Sequence, residues 1–123
     1  MKSLLDYLLE QEYRPNDNSA INEMANLGKK TTKQPFVIYV SDNRGVNHGP
    51  RIKVNADYGD RWSGTSFTVT ITDDPVVIGN TGKIRERDLD NIKDWVLMNR
   101  SALLAYWKQQ IDIAELIEQL RTV

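Results

Sequence analysis

The spacing of apolar positions changes along the chain, and each change marks a different element. Near the start, Leu4, Leu5, Leu8 and Leu9 fall on one side of a helix that Ser3 can cap. Arg14-Pro15 ends it, because the residue before proline is pushed out of the α region. Ser19 can cap a second short helix with Ile21, Met24 and Leu27 on one side and Gly28 as its stop. Residues 28–35 read as a loop by composition. Phe36-Val37-Ile38-Tyr39-Val40 is then a continuous apolar and β-branched run, which predicts a strand covered on both faces.

Downstream the period becomes two. Arg51 to Ala56 sends Ile52, Val54 and Ala56 to one face and Arg51, Lys53 and Asn55 to the other, as in a half-exposed strand. Thr65 to Thr72 repeats the pattern, with Phe67, Val69 and Ile71 facing in and Ser66, Thr68, Thr70 and Thr72 facing out. Asp73-Asp74-Pro75 has turn composition, Val76-Val77-Ile78 makes a further strand, and Gly79-Asn80-Thr81-Gly82 closes it.

From about Glu86 to Trp107 the period shifts to 3.6. Leu89, Ile92, Val96, Leu103 and Trp107 form one stripe, broadened by Trp95, Ala102 and Tyr106, and predict one long helix. Glu86, Asp88 and Asp90 are expected to put negative charge in its first turn, complementing the positive dipole end. Asp112 and Glu115 make a capping box for a last short helix, with Ile111 and Leu116 as its hydrophobic staple. The predicted class is α+β: a small antiparallel sheet of about four strands on a long C-terminal helix, with two short N-terminal helices and a short final one. One domain spans residues 1–123, a helical extension over 1–35 preceding the sheet and C-terminal helices of 36–123. One sheet face then lies under the long helix, and the other displays cations and hydroxyls.

Composition narrows this picture. A chain of 123 residues with 40% hydrophobic and 27% charged residues suffices for one globular core. The net charge of −1 gives no whole-molecule field for polyanions but leaves room for a local basic patch. Without cysteine there is no disulfide framework, no thiol nucleophile and no Cys-ligated metal. The start lacks a signal-peptide pattern, and no window approaches the roughly 18 apolar residues of a membrane span. A soluble, cytoplasmic protein without membrane association is expected.

Candidate chemistry is sparse. His48, the single histidine, lies in the glycine-rich stretch Asp42–Val54 with no serine elbow or second histidine near it in sequence, so neither a nucleophilic triad nor a histidine metal site is expected. No cofactor is implied. The pairs Asp57 with Asp60 and Asp73 with Asp74 have the chemistry of a divalent-cation site, although turn formation accounts for the second pair. Lys29, Lys30, Lys33, Arg44, Arg51 and Lys53 place six cations within 25 residues, to be weighed as nucleic-acid contacts against an ordinary solvated run. Trp62 stands in the glycine-containing connection Asp57–Gly64, either folded over the sheet edge or presented as an anchor for a partner.

Three stretches, Ser41-Asp42-Asn43, Pro50-Arg51-Ile52-Lys53-Val54, and Trp95 through Asn99-Arg100, Leu103-Leu104 and Trp107, carry a family pattern. The span from Phe36 to about Gln110 resembles a family of small bacterial proteins, domain of unknown function 4160. That family has a Pro-His-x-His stretch entering a strand and a helix ending near tryptophan. Its two histidines fall on Arg51 and Lys53 here, so no metal or proton-transfer role carries over; two hydrophilic side chains on one strand face remain. The resemblance implies a component of a toxin–antitoxin or mobile-element gene pair, of bacterial or phage origin.

Together these readings predict a non-enzymatic binding protein that meets a protein partner, such as the product of a neighbouring gene, through Arg44, His48, Arg51, Lys53 and Trp62. The alternatives are a nucleic-acid-binding protein that uses Lys29, Lys30 and Lys33 with the downstream cations, and a small metal-dependent hydrolase or nuclease using Asp57 or Asp60. The oligomeric state is open.

Overall fold

The computed structural model describes residues 24–44 and 49–122, so the helix expected after Ser3 and the residue His48 lie outside the described residues. Five strands form one sheet in chain order: β1 (Ala25–Leu27), β2 (Ile38–Val40), β3 (Arg51–Asn55), β4 (Ser66–Thr70) and β5 (Val77–Ile78). Every neighbouring pair is antiparallel. Four helices are described: α1 (Lys29–Thr32), α2 (Glu86–Met98), α3 (Arg100–Trp107) and α4 (Ile113–Gln119). The fold is α+β, with one strand more than the hydrophobic pattern predicts.

Alternation decides what each sheet face does. Leu27, Ile38, Val40, Ile52, Val54, Phe67 and Val69 point to one side and are almost wholly buried there. They join Ile92, Trp95 and Val96 of α2, Leu103 of α3 and Leu116 of α4 in one apolar cluster. Each large apolar side chain removed from water contributes about 1.5–3 kcal/mol, so this layer is the main source of stability. Among the described residues, no helix is long and apolar enough to cross a membrane.

Three elements differ from the sequence reading. Ala25–Leu27, expected as the end of a second helix within a helical extension, pairs with Val40–Ile38 as the first strand of the sheet. Leu27 is buried in either geometry, and a short apolar segment has too few residues for the two periods to be told apart. Residues 28–35, expected as a loop, contain the single turn α1, closed by Lys33 in the left-handed region at φ 62°. The helix expected through Trp107 is divided at Asn99 into α2 and α3. There the Asn99 Nδ2 donates to the carbonyls of Trp95 (3.0 Å) and Arg121 (3.0 Å), and its Oδ1 accepts from the Arg121 N–H (2.7 Å). A side-chain amide competing for the carbonyl of residue i−4 bends a helix, and here it also fastens the C-terminal tail.

The last helix begins as expected. The Asp112 carboxylate accepts from the Glu115 N–H (2.8 Å), and the Glu115 carboxylate accepts from the Asp112 N–H (2.9 Å). Both strands of the reciprocal cap are present, and Ile111 and Leu116 meet in the main apolar cluster.

Candidate functional site

The face of the sheet turned away from α2 is built from the alternate residues. One row across it runs Tyr39, Lys53, Thr68, Ile78, each directly opposite the next. Arg51 sits opposite Thr70 and Asn55 opposite Ser66. This face has two unlike halves. Over β2, Val37 and Tyr39 are only 4% exposed and form a second, small apolar cluster against which Met24 and Trp62 pack. The Trp62 ring meets Tyr39 edge-on, with centroids 5.8 Å apart and planes at 90°. Burial pushes the Tyr39 phenol above its ordinary range.

Toward β5 the face opens. Val76 and Ile78 are 51% and 53% exposed. Ile78 lies beside Thr68, and Val76 is tied to Thr70 by its N–H to the Thr70 hydroxyl (2.9 Å) and by the Thr70 N–H to its carbonyl (3.1 Å). Between the two halves stand Arg51 and Lys53, both partly exposed and both also engaged within the chain. Two aliphatic side chains at a sheet edge beside hydroxyls and cations make a mixed surface of the type that protein contacts use.

Asn55 explains why Trp62 lands where it does. Its place in the alternation sends it outward, yet it is completely buried. Its Nδ2 donates to the Arg61 carbonyl (2.8 Å), and its Oδ1 accepts from the Ser63 N–H (3.0 Å) and hydroxyl (2.8 Å). One amide therefore holds both neighbours of Trp62 against the strand and folds the indole over Tyr39. Tyr58, the other aromatic of this connection, turns to the core side. There it stacks on Phe36 at 6.4 Å and donates from its hydroxyl to Asp88 (2.7 Å).

The structure brings Arg51, Lys53 and Trp62 to one face but separates the remaining candidates. Arg44 lies beyond the end of β2, where its guanidinium donates to the Asp42 carboxylate at 2.6 and 2.9 Å. That guanidinium holds the Asp42 carboxyl below its usual range, and the carboxylate in turn raises the Arg44 pKa. The neighbouring Asn43 N–H reaches the Trp107 carbonyl at the end of α3 (2.9 Å). Arg44 thereby lines an open cleft of about 470 Å³ together with Asp42, Tyr106, Gln109, Asp112 and Glu115. Burial raises the Tyr106 pKa in this cleft, with the Asp42 charge adding to the shift.

Lys29, Lys30 and Lys33 belong to the opposite end of the sheet. Lys29 donates to the Tyr58 carbonyl (2.7 Å) and pairs with Asp60 (3.1 Å), both in the connection that leaves the far end of β3. The run of six cations is therefore not one patch. Of the candidate carboxylates, Asp60 is held by Lys29, and Asp57 accepts the Gly59 N–H in a local turn (2.8 Å). Among the described residues, no group of three or more His, Asp or Glu is placed to hold a metal ion.

Sequence reasoning passed over Asn55, Val76 and Ile78. For the two aliphatics a signal was present: in Val76-Val77-Ile78 three successive apolar residues cannot all face one side of an extended segment. Asn55 gave none, since its place in the alternation matches any exposed polar residue. No family model matches this chain, and neither a curated protein nor a solved structure does.

Proposed function

We propose that this chain is a small non-enzymatic binding protein whose contact surface for a protein partner is the outer sheet face from β3 to β5. The observation that carries this reading is the pair Val76 and Ile78, each about half exposed and set beside Thr68 and Thr70 on an edge strand. A partner that covers them removes apolar area from water, worth about 25 cal/mol per Å². Arg51 and Lys53 flank them. Both are already engaged within the chain, so they border the apolar pair as fixed polar groups.

Trp62 contributes indirectly, closing the other half of the face so that the partner meets one bounded surface. The resemblance to domain of unknown function 4160 supports a partner encoded by a neighbouring gene, in the manner of a toxin–antitoxin or mobile-element pair. The test is co-purification with the product of the adjacent gene, followed by titration calorimetry. Ile78→Lys and Arg51→Ala are each expected to cost about 1 kcal/mol or more, a Kd rise of about fivefold. Binding of both variants at the original affinity would remove the outer face from consideration.

A further inference from the structure

The fold assembles a basic patch that no single stretch of sequence contains. Residues 29–33 and 83–87 carry six cations, Lys29, Lys30, Lys33, Lys83, Arg85 and Arg87, and one carboxylate, Glu86, in a chain whose net charge is −1. Tyr58 joins the two segments. Its carbonyl accepts from the Lys29 ammonium (2.7 Å), its hydroxyl accepts from the Arg85 backbone N–H (2.8 Å), and the Arg85 guanidinium lies over its ring, 5.9 Å from the centroid. Of the adjoining carboxylates, Asp60 is paired with Lys29, the buried Asp88 meets the Tyr58 hydroxyl and Arg87 (3.5 Å), and Asp57 accepts the Gly59 N–H in a local turn. Lys30, Lys33, Lys83 and Arg85 are exposed and make no ion pair with a described residue.

Lys83, Arg85 and Arg87 stand at the N-terminus of the 13-residue helix α2, where the helix dipole favours anions and where Glu86 and Asp88 of the first turn already supply part of that negative charge. Lys29 of α1 reaches Tyr58 as well, at its carbonyl. An anion laid across this end would meet the exposed cations Lys83 and Arg85 at the positive end of the helix dipole.

We infer that the end of the molecule formed by α1 and the start of α2 binds the phosphodiester backbone of a nucleic acid. The cations are spread over two elements, which suits an extended ligand with regularly spaced charges. The aromatic ring within the patch is not offered to bases, because Tyr58 is stacked on Phe36 on one side and lies under Arg85 on the other. Recognition therefore rests on phosphates and is indifferent to base sequence. This surface shares no residue with the outer sheet face, so the two assignments fail or hold separately.

The experiment is fluorescence anisotropy of the full chain with labelled mixed-sequence oligonucleotides, single- and double-stranded, over a range of salt concentrations. Affinity is expected to fall linearly on a log–log plot, by about 0.7 per neutralised phosphate on single strands and about 0.9 on duplex. The combined change Lys30→Gln, Lys83→Gln and Arg85→Gln is expected to weaken binding about tenfold or more. The same change of charge at Lys93, Arg100 and Lys108 is expected to have less than a third of that effect, with thermal melting confirming that both variants fold. No binding, a salt slope near zero, or equal losses in the two triple variants would overturn the assignment. So would displacement of the oligonucleotide by polyglutamate at equal charge concentration, which would mark a surface for acidic proteins instead.

Discussion

Asn55 illustrates how much one side chain can organise. It makes three hydrogen bonds to Arg61 and Ser63 while fully buried, and those bonds hold the connection that carries Trp62. Removing it leaves the Ser63 N–H and the Arg61 carbonyl without their partner in a part-buried setting, and each such group costs about 1–3 kcal/mol. Asn55→Ala is expected to destabilise the protein by about 2–4 kcal/mol in urea unfolding, with loss of the ordered Trp62 fluorescence environment. A similar economy operates at Gly82: its φ of +58° and the Ala56 carbonyl oxygen lying against the place where a Cβ would sit leave no room for a side chain.

The elements are held by two different kinds of terminus. The start of α4 has the reciprocal Asp112–Glu115 cap, formed from neighbouring residues. Asp112→Ala is expected to lower stability by about 1 kcal/mol, and Asp112→Ser to restore most of it, as read by thermal unfolding. The start of α2 has no side-chain cap of its own. A tyrosine from another part of the chain does that work: the Arg85 N–H donates to the Tyr58 hydroxyl, which donates to Asp88 in the first turn of the helix. Asp88 thus serves a buried hydrogen bond as well as the helix dipole, and Asp90 stands beyond the first turn. The same tyrosine that caps α2 brings α1 beside it, so capping and the basic patch have one structural origin.

Among the described residues, both ends of the sheet mix charges in different proportion. Cations of residues 29–33 and 83–87 lie at one end with Asp60 and Asp88 paired among them, and Asp42, Asp112 and Glu115 line the cleft at the other with Arg44. Tyr39, Tyr58 and Tyr106 all have phenols raised above their ordinary range, in each case chiefly by burial. A raised folded-state pKa means that the folded chain keeps protons that the unfolded chain releases. The stability this contributes is complete below about pH 10, the unfolded value, and is lost as pH climbs through the folded values. Unfolding free energies measured at pH 8 and pH 10.5 are expected to show this decline, and Tyr58→Phe to make it shallower. At the acid side the sign reverses for Asp42, whose lowered pKa gives stability above its unfolded value that fades as pH falls through the folded one.

Local pattern was enough to determine the α+β class, the inward set Ile52, Val54, Phe67 and Val69, and the outward set Arg51, Lys53, Thr68 and Thr70. The cap at Asp112 and Glu115 was equally legible. Each of these depends on residues within one turn or one strand, where period and capping chemistry are properties of adjacent positions. Tertiary structure alone decided that Ala25–Leu27 is a strand, since its identity comes from pairing with Val40–Ile38. It also decided that Asn99 breaks a helix by holding Arg121, and that Asn55 is buried beneath its own loop. Most of all, it divided a basic run that is continuous in sequence and joined Lys29–Lys33 to Lys83–Arg87 through Tyr58. Electrostatic interaction depends on distance through space, and only the folded path of the chain sets that distance.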